Sequence, residues 1–261
     1  MQKGTQALYW ITGASSGIGR ALALALAAEG ATVAASARRE EALQALAREA
    51  DLLAGRIIPY PVDVTEAAAV SQIVSRIESE QGPIDCAILN AGLYGPQRSD
   101  RFSAEGYRQV FEVNVLGVAQ CLEAVLKTMS ERREGEICIM GSLSAYRGLP
   151  EAAPYGATKA ALQNMAESLA PGLARQGIRL RLISPGFVHT PMTEQNPFPM
   201  PLIMDVEKAA AIIVRGLHKN TFEIAFPTRL AWILKLARCL PYTLWFPLSR
   251  RLLPRRKSRH E

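Results

Sequence analysis

The segment TGASSGIG, residues Thr12–Gly19, stands between an apolar run, Ala7–Ile11, and an Ala/Leu-rich stretch, Gly17–Glu29. A short apolar run before a glycine turn predicts a strand, and the Ala/Leu stretch predicts a helix that stops at Gly30. Glycines let a backbone approach a ligand closely, and the free N–H groups of a helix N-terminus attract anions. The segment therefore predicts a phosphate-binding turn, with a plain strand-to-helix turn as the alternative.

Short apolar runs and longer helical patterns alternate along the rest of the chain. The predicted strands are Ala7–Ile11, Ala31–Ala37, Arg56–Val64, Asp85–Asn90, Glu136–Met140, Ile178–Ser184 and Phe222–Ala225. The predicted helices are Gly17–Glu29, Arg39–Ala50, Glu66–Gln81 with Thr65 as its N-cap, Ala104–Glu131, Pro154–Gln176 and Val206–Lys219. Strands that alternate with helices form parallel sheets. We therefore predict an α/β fold: a single Rossmann-like, doubly wound domain with a mainly parallel seven-stranded sheet flanked by helices.

The composition is that of an ordinary globular domain. With 261 residues, of which 49% are hydrophobic and 21% charged, the chain is unlike collagen, coiled coils or disordered proteins. Its four cysteines form no C-x-x-C pair, which argues against a zinc site or a disulfide framework and fits a reducing cytoplasm. The first residues are polar, and no uncharged apolar run reaches 18 residues. We expect a cytoplasmic protein without a spanning helix and without a metal.

The positive charge is concentrated at the C-terminus. Residues 1–227 hold 21 Lys/Arg against 23 Asp/Glu, a net charge of −2, whereas residues 228–261 hold nine against one, a net charge of +8. We therefore divide the chain into a catalytic domain, residues 1–227, and a basic amphipathic extension, residues 228–261. Nucleic-acid binding is not expected, because the charge is confined to this extension and no binding module accompanies it.

On a helical projection of the extension, one side is apolar and the opposite side carries Lys235 and Arg238. The apolar side consists of Leu230, Trp232, Ile233, Leu236, Ala237 and Leu240. This pattern predicts a helix in a membrane interface, with aromatic rings at the level of the lipid headgroups: Trp232, Tyr242 and Trp245. The alternative is an amphipathic helix packed against the body of the protein or against a neighbouring subunit.

A tyrosine and a lysine, Tyr155 and Lys159, are spaced to share one face of a helix. Ser142 follows the apolar run Ile137–Met140, so it lies at the carboxyl end of a predicted strand, where α/β sheets bind ligands. A nearby ammonium favours a phenolate and lowers the pKa of a tyrosine, which suits acid–base chemistry. The serine hydroxyl would hold a substrate oxygen where negative charge develops. Alone, the Tyr/Lys pair could be an incidental helix pair.

The spacing T-G-x-x-x-G-I-G, together with Ser142, Tyr155 and Lys159, resembles the short-chain dehydrogenase/reductase family. Further family motifs follow in order as far as residue 190. The resemblance implies carbonyl–alcohol interconversion by hydride transfer, with catalytic residues Asn114, Ser142, Tyr155 and Lys159, where Asn114 positions a water in a proton relay. A local bond to the backbone is the alternative role for Asn114. The resemblance also implies a homodimer or homotetramer built on helices 104–131 and 154–176.

The same resemblance implies a set of dinucleotide-binding residues. In the turn these are Gly13, Ser15, Ser16, Gly17, Ile18 and Gly19. Asp63 matches the adenine contact, with an acidic charge at a helix start as the alternative role, and Val64 follows it in the set. The motif after strand four reads Leu89-Asn90-Ala91-Gly92, with Leu89 where the family has an asparagine. By resemblance, Asn90, Ala91 and Gly92 support the sheet and line the ribose. Tyr155 and Lys159 also belong to the set, as do the residues of the segment that meets the nicotinamide: Pro185, Gly186, Val188 and Thr190.

The second strand is followed by Arg38 and Arg39 instead of an acidic residue. An acidic residue at this point usually accepts from the ribose of NAD, whereas an arginine suits the 2′-phosphate of NADP. We therefore predict that NADP(H) is preferred and that NAD(H) is possible. Two solvated arginines at a helix start are the alternative.

The substrate end of the chain is apolar. Residues 191–204 contain three methionines and several prolines, and methionine-rich surfaces adapt to flexible apolar ligands. This favours a 3-oxoacyl, lipid-like or other ketone substrate, although the segment could equally pack on the core. A non-catalytic dinucleotide sensor or scaffold, recruited to a membrane through its tail, is the alternative function. The presence of Ser142, Tyr155 and Lys159 argues against it.

Overall fold

The computed structural model describes residues 7–95, 102–194 and 200–253. Seven strands form one sheet in the order β3-β2-β1-β4-β5-β6-β7, and every neighbouring pair is parallel. The strands are β1 Leu8–Thr12, β2 Thr32–Ser36, β3 Arg56–Pro59, β4 Cys86–Leu89, β5 Gly135–Met140, β6 Ile178–Pro185 and β7 Glu223–Phe226. The predicted Rossmann-like α/β sheet is thus confirmed.

Helices cover both faces of this sheet. They are α1 Gly17–Ala28, α2 Glu40–Glu49, α3 Ala67–Gln81, α4 Ala104–Phe111, α5 Gly117–Arg132, α6 Ala153–Arg175, α7 Val206–Leu217, α8 Thr228–Arg238 and α9 Tyr242–Arg250. A π-helical segment, Glu112–Leu116, joins α4 to α5, and short 3-10 turns occupy Ala50–Leu52 and Leu143–Ala145.

Alternate strand residues enter two separate cores. Ile11, Val33 and Ile88 pack with α1, α2 and α7 on one face, whereas Trp10 and Ala87 pack with α3, α5 and α6 on the other. Because both faces are covered, all five residues of β2 are buried, and the strand shows no alternation of apolar and polar residues. Burial of both faces explains why the segments that form the strands are continuous apolar runs in the sequence.

The third strand is shorter than predicted. It ends at Pro59, although the N–H of Tyr60 still donates to the Ala35 carbonyl of β2 and that of Val62 to the Ala37 carbonyl just after β2. The Asp63 carboxylate then accepts from the N–H and hydroxyl of Thr65. Thr65 is therefore part of a turn and not an N-cap, since α3 begins at Ala67 after Glu66. Prolines in the run shorten the strand because they have no N–H for a sheet ladder.

The helix predicted over 104–131 is continuous but contains the π-helical segment. By length and composition, the region Ala104–Arg132 is apolar enough to cross a membrane. However, Val118, Leu122, Val125 and Met129 of this region pack into the core beneath the sheet. The region is therefore accounted for as a core helix of this fold.

The extension folds into α8 and α9, and α8 packs on the body differently from the prediction. Leu230, Ala231 and Leu234 face inward against Leu143 and Tyr146, whereas Trp232, Ile233 and Leu236 are exposed. The apolar residues therefore lie on two sides of the helix and not on one. Lys235 binds Glu223 at 2.6 Å, and Trp245 is buried, so neither occupies its predicted place. The domain boundary at residue 227 stays a prediction.

A buried arginine ties β6 to its neighbours. The Arg181 guanidinium is fully buried, forms an ion pair with Glu136 of β5, and donates to the carbonyls of Gly216 and Leu217 at 3.0 and 3.1 Å. These carbonyls end α7, where helical acceptors need outside partners. Arg181 thus joins two strands and a helix.

We expect Arg181→Met to lower the free energy of unfolding by about 3–5 kcal/mol, because the Glu136 carboxylate loses its buried partner. Urea denaturation measures the loss. The control Arg179→Met, at a half-exposed residue 3.8 Å from the same carboxylate, should cost less than about 1 kcal/mol. The double variant Glu136→Gln/Arg181→Met should lose less than the sum of the two single changes. Additive losses would contradict the assigned pairing.

Candidate active site

The main cleft lies at the carboxyl edge of the sheet, where the strand order reverses between β1 and β4. Ligands bind at such a reversal in open α/β sheets. The cavity measures about 410 Å³ and is lined by nineteen predicted site residues: Gly13, Ser15, Ser16, Gly17, Ile18, Arg38, Arg39, Asp63, Val64, Asn90, Ala91, Gly92, Ser142, Tyr155, Lys159, Pro185, Gly186, Val188 and Thr190. Two predicted residues, Gly19 and Asn114, lie behind the lining.

The glycine turn has the geometry of an anion cradle. Gly13 and Gly17 have φ angles of 68° and 54°, a conformation that side chains disfavour. A Cβ at Gly19 would come within 2.4 Å of the Asn90 amide nitrogen, so Gly19 serves close packing and does not contact the cleft. Helix α1 has no side-chain cap from Ser16 and no acidic residue in its first turn. Its first N–H groups therefore remain for a phosphate, and the turn fits the pyrophosphate of a dinucleotide.

Asn90 fixes this turn from the neighbouring strand. Its side-chain nitrogen donates to the carbonyls of Thr12 at 2.9 Å and Gly13 at 3.2 Å. The Thr12 hydroxyl in return accepts from the N–H groups of Asn90 and Ala91. The turn after β1 and the turn after β4 are thus bonded to each other. The predicted role of Asn90 in supporting the sheet edge agrees with these contacts.

Ser142, Tyr155 and Lys159 meet in the same cleft. Helix α6 begins at Ala153 with Pro154 in its first turn, which places Tyr155 at the helix start and Lys159 one turn later. The Lys159 ammonium lies 5.5 Å from the centre of the Tyr155 ring and donates to the Met140 carbonyl at 2.7 Å. Met140 ends β5, so the lysine bonds the strand that leads to Ser142. The structure therefore brings together the three predicted groups.

Ser142 sits in a small hydrogen-bonded turn after β5. Its hydroxyl accepts from the Ser144 N–H at 3.2 Å and contacts the Ser144 hydroxyl at 3.0 Å. It also donates to the Pro185 carbonyl at 3.4 Å, a long bond. Because this donor bond is weak, the Ser142 proton can turn toward a substrate oxygen.

Burial controls the acid–base properties of the site. It raises the pKa of Tyr155 to about 12, although the Ser142 side chain partly offsets the shift and Tyr94 adds to it. Burial also lowers the pKa of Lys159 to about 8. For the protein by itself, the change at Tyr155 is thus opposite to the predicted lowering, because loss of hydration outweighs any effect of the ammonium. A protonated phenol is the form that donates a proton.

Asn114 lies in the π-helical segment and is fully buried. Its side chain accepts from the Leu93 N–H at 2.6 Å, and it donates to the Leu93 carbonyl at 2.9 Å and to Thr158 at 3.1 Å. The Thr158 hydroxyl donates to the Tyr155 carbonyl at 2.7 Å. These contacts make Asn114 a brace between the segment after β4 and α6. Its role in a water relay stays a prediction.

Two arginines follow β2 at the far end of the cleft. The Arg38 side chain is 67% exposed and lies 3.9 Å from Asp63, and the Arg39 guanidinium donates to Ser15 at 3.3 Å. The last residue of β2, Ser36, is buried and bonded to Trp10 and to the Tyr60 carbonyl. No carboxylate ends this strand. Arg38 and Arg39 instead line the cleft together with the glycine turn. This arrangement fits an additional phosphate.

Comparison with known proteins identifies the family. A family model described as short chain dehydrogenase matches residues 8–198. The chain belongs to the short-chain dehydrogenase/reductase family. It is 39% identical to an uncharacterized oxidoreductase from Myxococcus xanthus, over 93% of this chain and 96% of that protein. It is also 37% identical to the 3-oxoacyl-acyl-carrier-protein reductase FabG of Thermotoga maritima, over 72% of this chain and 76% of that protein.

A solved structure agrees with this assignment. A variant of the actinorhodin polyketide ketoreductase, in a structure with NADPH, superposes with a TM-score of 0.79 and is 26% identical, covering 87% of this chain and 97% of that one. The protein is therefore a short-chain dehydrogenase/reductase enzyme, an oxidoreductase. The predicted family and enzyme class are confirmed.

Several cleft residues of this short-chain dehydrogenase were not predicted from the sequence. Tyr94 contacts Tyr155 edge-on, with ring centres 5.2 Å apart. Pro191, Met192 and Thr193, at the start of the predicted substrate segment, line the cleft. Ser144, which donates to Ser142, was missed, as were further lining residues: Ala37, Val62, Leu93, Val113, Met140 and Gly141. Most of them adjoin a motif residue in sequence, and that proximity is the signal that could have found them. Part of the predicted substrate segment, residues 195–199, lies outside the described residues.

One cluster in the sheet has ligand-type side chains but does not suit a metal. Cys86, Glu136 and Cys138 place their ligand atoms within 4.8 Å of one another. Glu136 is engaged by Arg181, and the neighbouring thiol and burial raise the pKa of the Cys86 thiol well above its usual range. A protonated thiol is a poor ligand. The cluster therefore supports no metal site.

Lys159 makes stability depend on pH. Its pKa is about 8 in the folded protein against 10.5 for a free lysine, so the folded lysine loses its proton first as pH rises. Between pH 8 and pH 10.5 the unfolded state then binds more protons, and folding becomes more stable with rising pH. We expect this residue to add about 3 kcal/mol to the free energy of unfolding across that range.

The measurement compares denaturant unfolding of the wild type and Lys159→Met at several pH values. The difference in stability between the two proteins should change with pH above pH 8, whereas the exposed control Lys127→Met should follow the wild type. A constant difference between pH 8 and pH 10.5 would show that the Lys159 pKa is not lowered.

Proposed function

We propose that this enzyme is an NADPH-dependent reductase of an apolar ketone, such as a 3-oxoacyl thioester. The observation that carries the proposal is the convergence of Tyr155, Ser142 and Lys159 at one end of a cleft whose other end is a glycine-rich anion cradle with two arginines. The match to 3-oxoacyl reductases of the family supports the choice of substrate class.

The chain's own groups handle the proton and the developing charge. A bound nicotinamide dinucleotide supplies the hydride, and the protein orients it. With a pKa of about 12, Tyr155 is protonated at neutral pH and donates its proton to the substrate oxygen as the carbonyl carbon accepts the hydride, which gives a secondary alcohol. Ser142 hydrogen-bonds this oxygen as negative charge develops. The ammonium of Lys159 stabilises the phenolate that remains on Tyr155.

The arginines after β2 favour NADP(H) over NAD(H). A 2′-phosphate gains charged hydrogen bonds from Arg38 and Arg39, whereas a free ribose hydroxyl finds no carboxylate at the end of β2. The ketoreductase that resembles this chain is also known with NADPH. NAD(H) remains the alternative cofactor of this proposal.

An apolar substrate is supported by the mouth of the cleft. Met192 lines the cavity and is partly exposed, and Leu93 and Val113 also line it. Adaptable methionine and aliphatic groups suit a flexible acyl chain. We also propose a cytoplasmic homodimer or homotetramer that pairs through the helices of residues 104–131 and α6, where Leu116 and Leu169 are exposed.

The phenol of Tyr155 is the proposed proton donor. Tyr155→Phe should lower kcat at least about 100-fold, because general acid catalysis contributes roughly that factor or more. Binding of NADPH should stay close to that of the wild type. NADPH absorbance with a 3-oxoacyl thioester measures turnover, and NADPH fluorescence measures binding. The control Tyr60→Phe, which removes a phenol bonded to Glu80 away from the cleft, should keep full activity. Wild-type turnover in Tyr155→Phe would refute the assignment.

Cofactor preference should depend on Arg38. Arg38→Ala should raise the Kd for NADPH by about 10- to 100-fold, since it removes a hydrogen bond to a charged group, and should change the Kd for NADH less than about twofold. Titration calorimetry with each dinucleotide measures both constants. Arg76→Ala, at an exposed arginine of α3, is the matched control. Equal changes for NADPH and NADH would rule out a 2′-phosphate contact.

A further inference from the structure

Exposed apolar side chains are concentrated on the two C-terminal helices. Within the described residues, sixteen large hydrophobic side chains are exposed, and nine of them fall in the 22 residues from 232 to 253. These nine, here called the outer surface, are Trp232, Ile233, Leu236, Tyr242, Leu244, Phe246, Leu248, Leu252 and Leu253. Scattered exposed hydrophobics need no explanation, but a concentration of this kind marks an interaction surface.

The inner side of the two helices is firmly attached to the body. Ala231 is buried against Leu143, and Lys235 binds Glu223, which also accepts from Ser184 and Tyr146. Because these inner contacts set the rotation of α8, the helix cannot bury Trp232 and Leu236 by turning over. The part of the outer surface on α8 is therefore set by the packing of this helix on the body.

Arg147 attaches the joint between the two helices. Its guanidinium donates to the carbonyls of Arg238 and Leu240 at 3.2 and 3.1 Å, and it lies over the rings of Tyr242 and Trp245. Trp245 is buried by this arrangement, whereas the neighbouring Phe246 is exposed. Helix α9 thus has an inner aromatic anchor and an outer apolar side.

Cations accompany the outer surface. Arg229, Arg250 and Arg251 are exposed on the same two helices and the turn that follows. In the whole sequence, residues 228–261 hold nine Lys/Arg against the single Glu261. An anionic bilayer has negatively charged headgroups above an apolar acyl layer. A protein surface that combines apolar and aromatic side chains with excess positive charge is complementary to it.

We propose that the outer surface of α8 and α9 binds the interface of a bilayer that contains anionic phospholipids. The apolar side chains enter the headgroup and acyl boundary, and the arginines contact lipid phosphates. A second copy of this chain fits less well, because a symmetric contact would place the arginine-rich surfaces of both copies against each other.

The inner side of α8 packs against the wall of the cleft. A Cβ at Gly186 would lie 3.1 Å from Leu230 of α8 and 3.2 Å from Leu143. Gly186 and Pro185 line the cleft, and Leu143 follows Ser142 directly. Because Leu230 faces inward, α8 would lie between a bilayer on the outer surface and this wall of the cleft. Membrane binding itself does not depend on the proposed reaction and can be measured without turnover.

Vesicle flotation with the full chain tests the proposal. Vesicles of phosphatidylcholine with about one-third phosphatidylglycerol should carry the protein to the top of the gradient, and vesicles of phosphatidylcholine alone should carry much less. The variant Arg250→Gln/Arg251→Gln should bind anionic vesicles about 25-fold more weakly, at about fivefold for each cation near the surface. Raising the salt concentration should weaken binding of the wild type in the same direction.

The apolar part has its own variant and control. Trp232→Ser/Phe246→Ser should lose flotation on anionic vesicles, whereas Leu52→Ser/Phe102→Ser, which removes exposed apolar side chains from other surfaces, should float like the wild type. All four positions are exposed, and thermal unfolding confirms that the variants fold. Absence of wild-type flotation would overturn the proposal. Equal flotation of Trp232→Ser/Phe246→Ser and its control variant would also overturn it.

Tryptophan fluorescence adds a local readout. The protein has three tryptophans, and Trp10 and Trp245 are buried while Trp232 is exposed. Lipids brominated along the acyl chain should therefore quench wild-type emission, and Trp232→Phe should remove the quenching. Sedimentation equilibrium measures the oligomeric state and tests whether a second copy of the chain covers the outer surface instead of a bilayer. A dimer that dissociates in Trp232→Ser/Phe246→Ser, without any vesicle binding by the wild type, would assign the surface to a second copy and refute the lipid proposal.

Discussion

The hydrogen bonds between Asn90 and the turn after β1 hold together the edge on which the site is built. Parallel strands carry their carboxyl ends to one side, and the reversal of order between β1 and β4 leaves a gap there. Asn90 bonds the Thr12 and Gly13 carbonyls across this gap, and Gly19 must lack a side chain for the amide to fit. The anion cradle and the turn after β4 therefore share one support.

The fold could be predicted well because double burial and glycine turns leave direct traces in the sequence. Continuous apolar runs mark strands covered on both faces, and β2 is buried at every residue. The predicted end of β3 and the predicted N-cap were wrong, because local backbone and side-chain chemistry there overrides the pattern of apolar residues. Pro59 and Pro61 cut β3 short, and Asp63 draws Thr65 into a turn. The π-helical segment at Glu112–Leu116 has no apolar period of its own, so periodicity alone could not show it.

The site was predictable where a motif fixes spacing and unpredictable where a property depends on surroundings. The i, i+4 spacing places Tyr155 and Lys159 together on any helix. Their pKa values instead follow from burial, which raises that of Tyr155 and lowers that of Lys159, and burial is known only once the chain is folded. The same holds for the extension, where a helical projection cannot show that Lys235 faces Glu223 and that Trp232 faces outward.

The segment from Ser142 to Arg147 connects the site to the C-terminal helices. Ser142 faces the cleft, Leu143 and Tyr146 pack against α8, and Arg147 holds the joint before α9. This segment of six residues therefore reaches the proposed substrate oxygen site at one end and the helices that carry the outer surface at the other. A displacement of α8 would act on the Leu143 side chain and, through one peptide unit, on the Ser142 hydroxyl. The side chains of this segment therefore form a short, continuous set of contacts from α8 to the Ser142 hydroxyl.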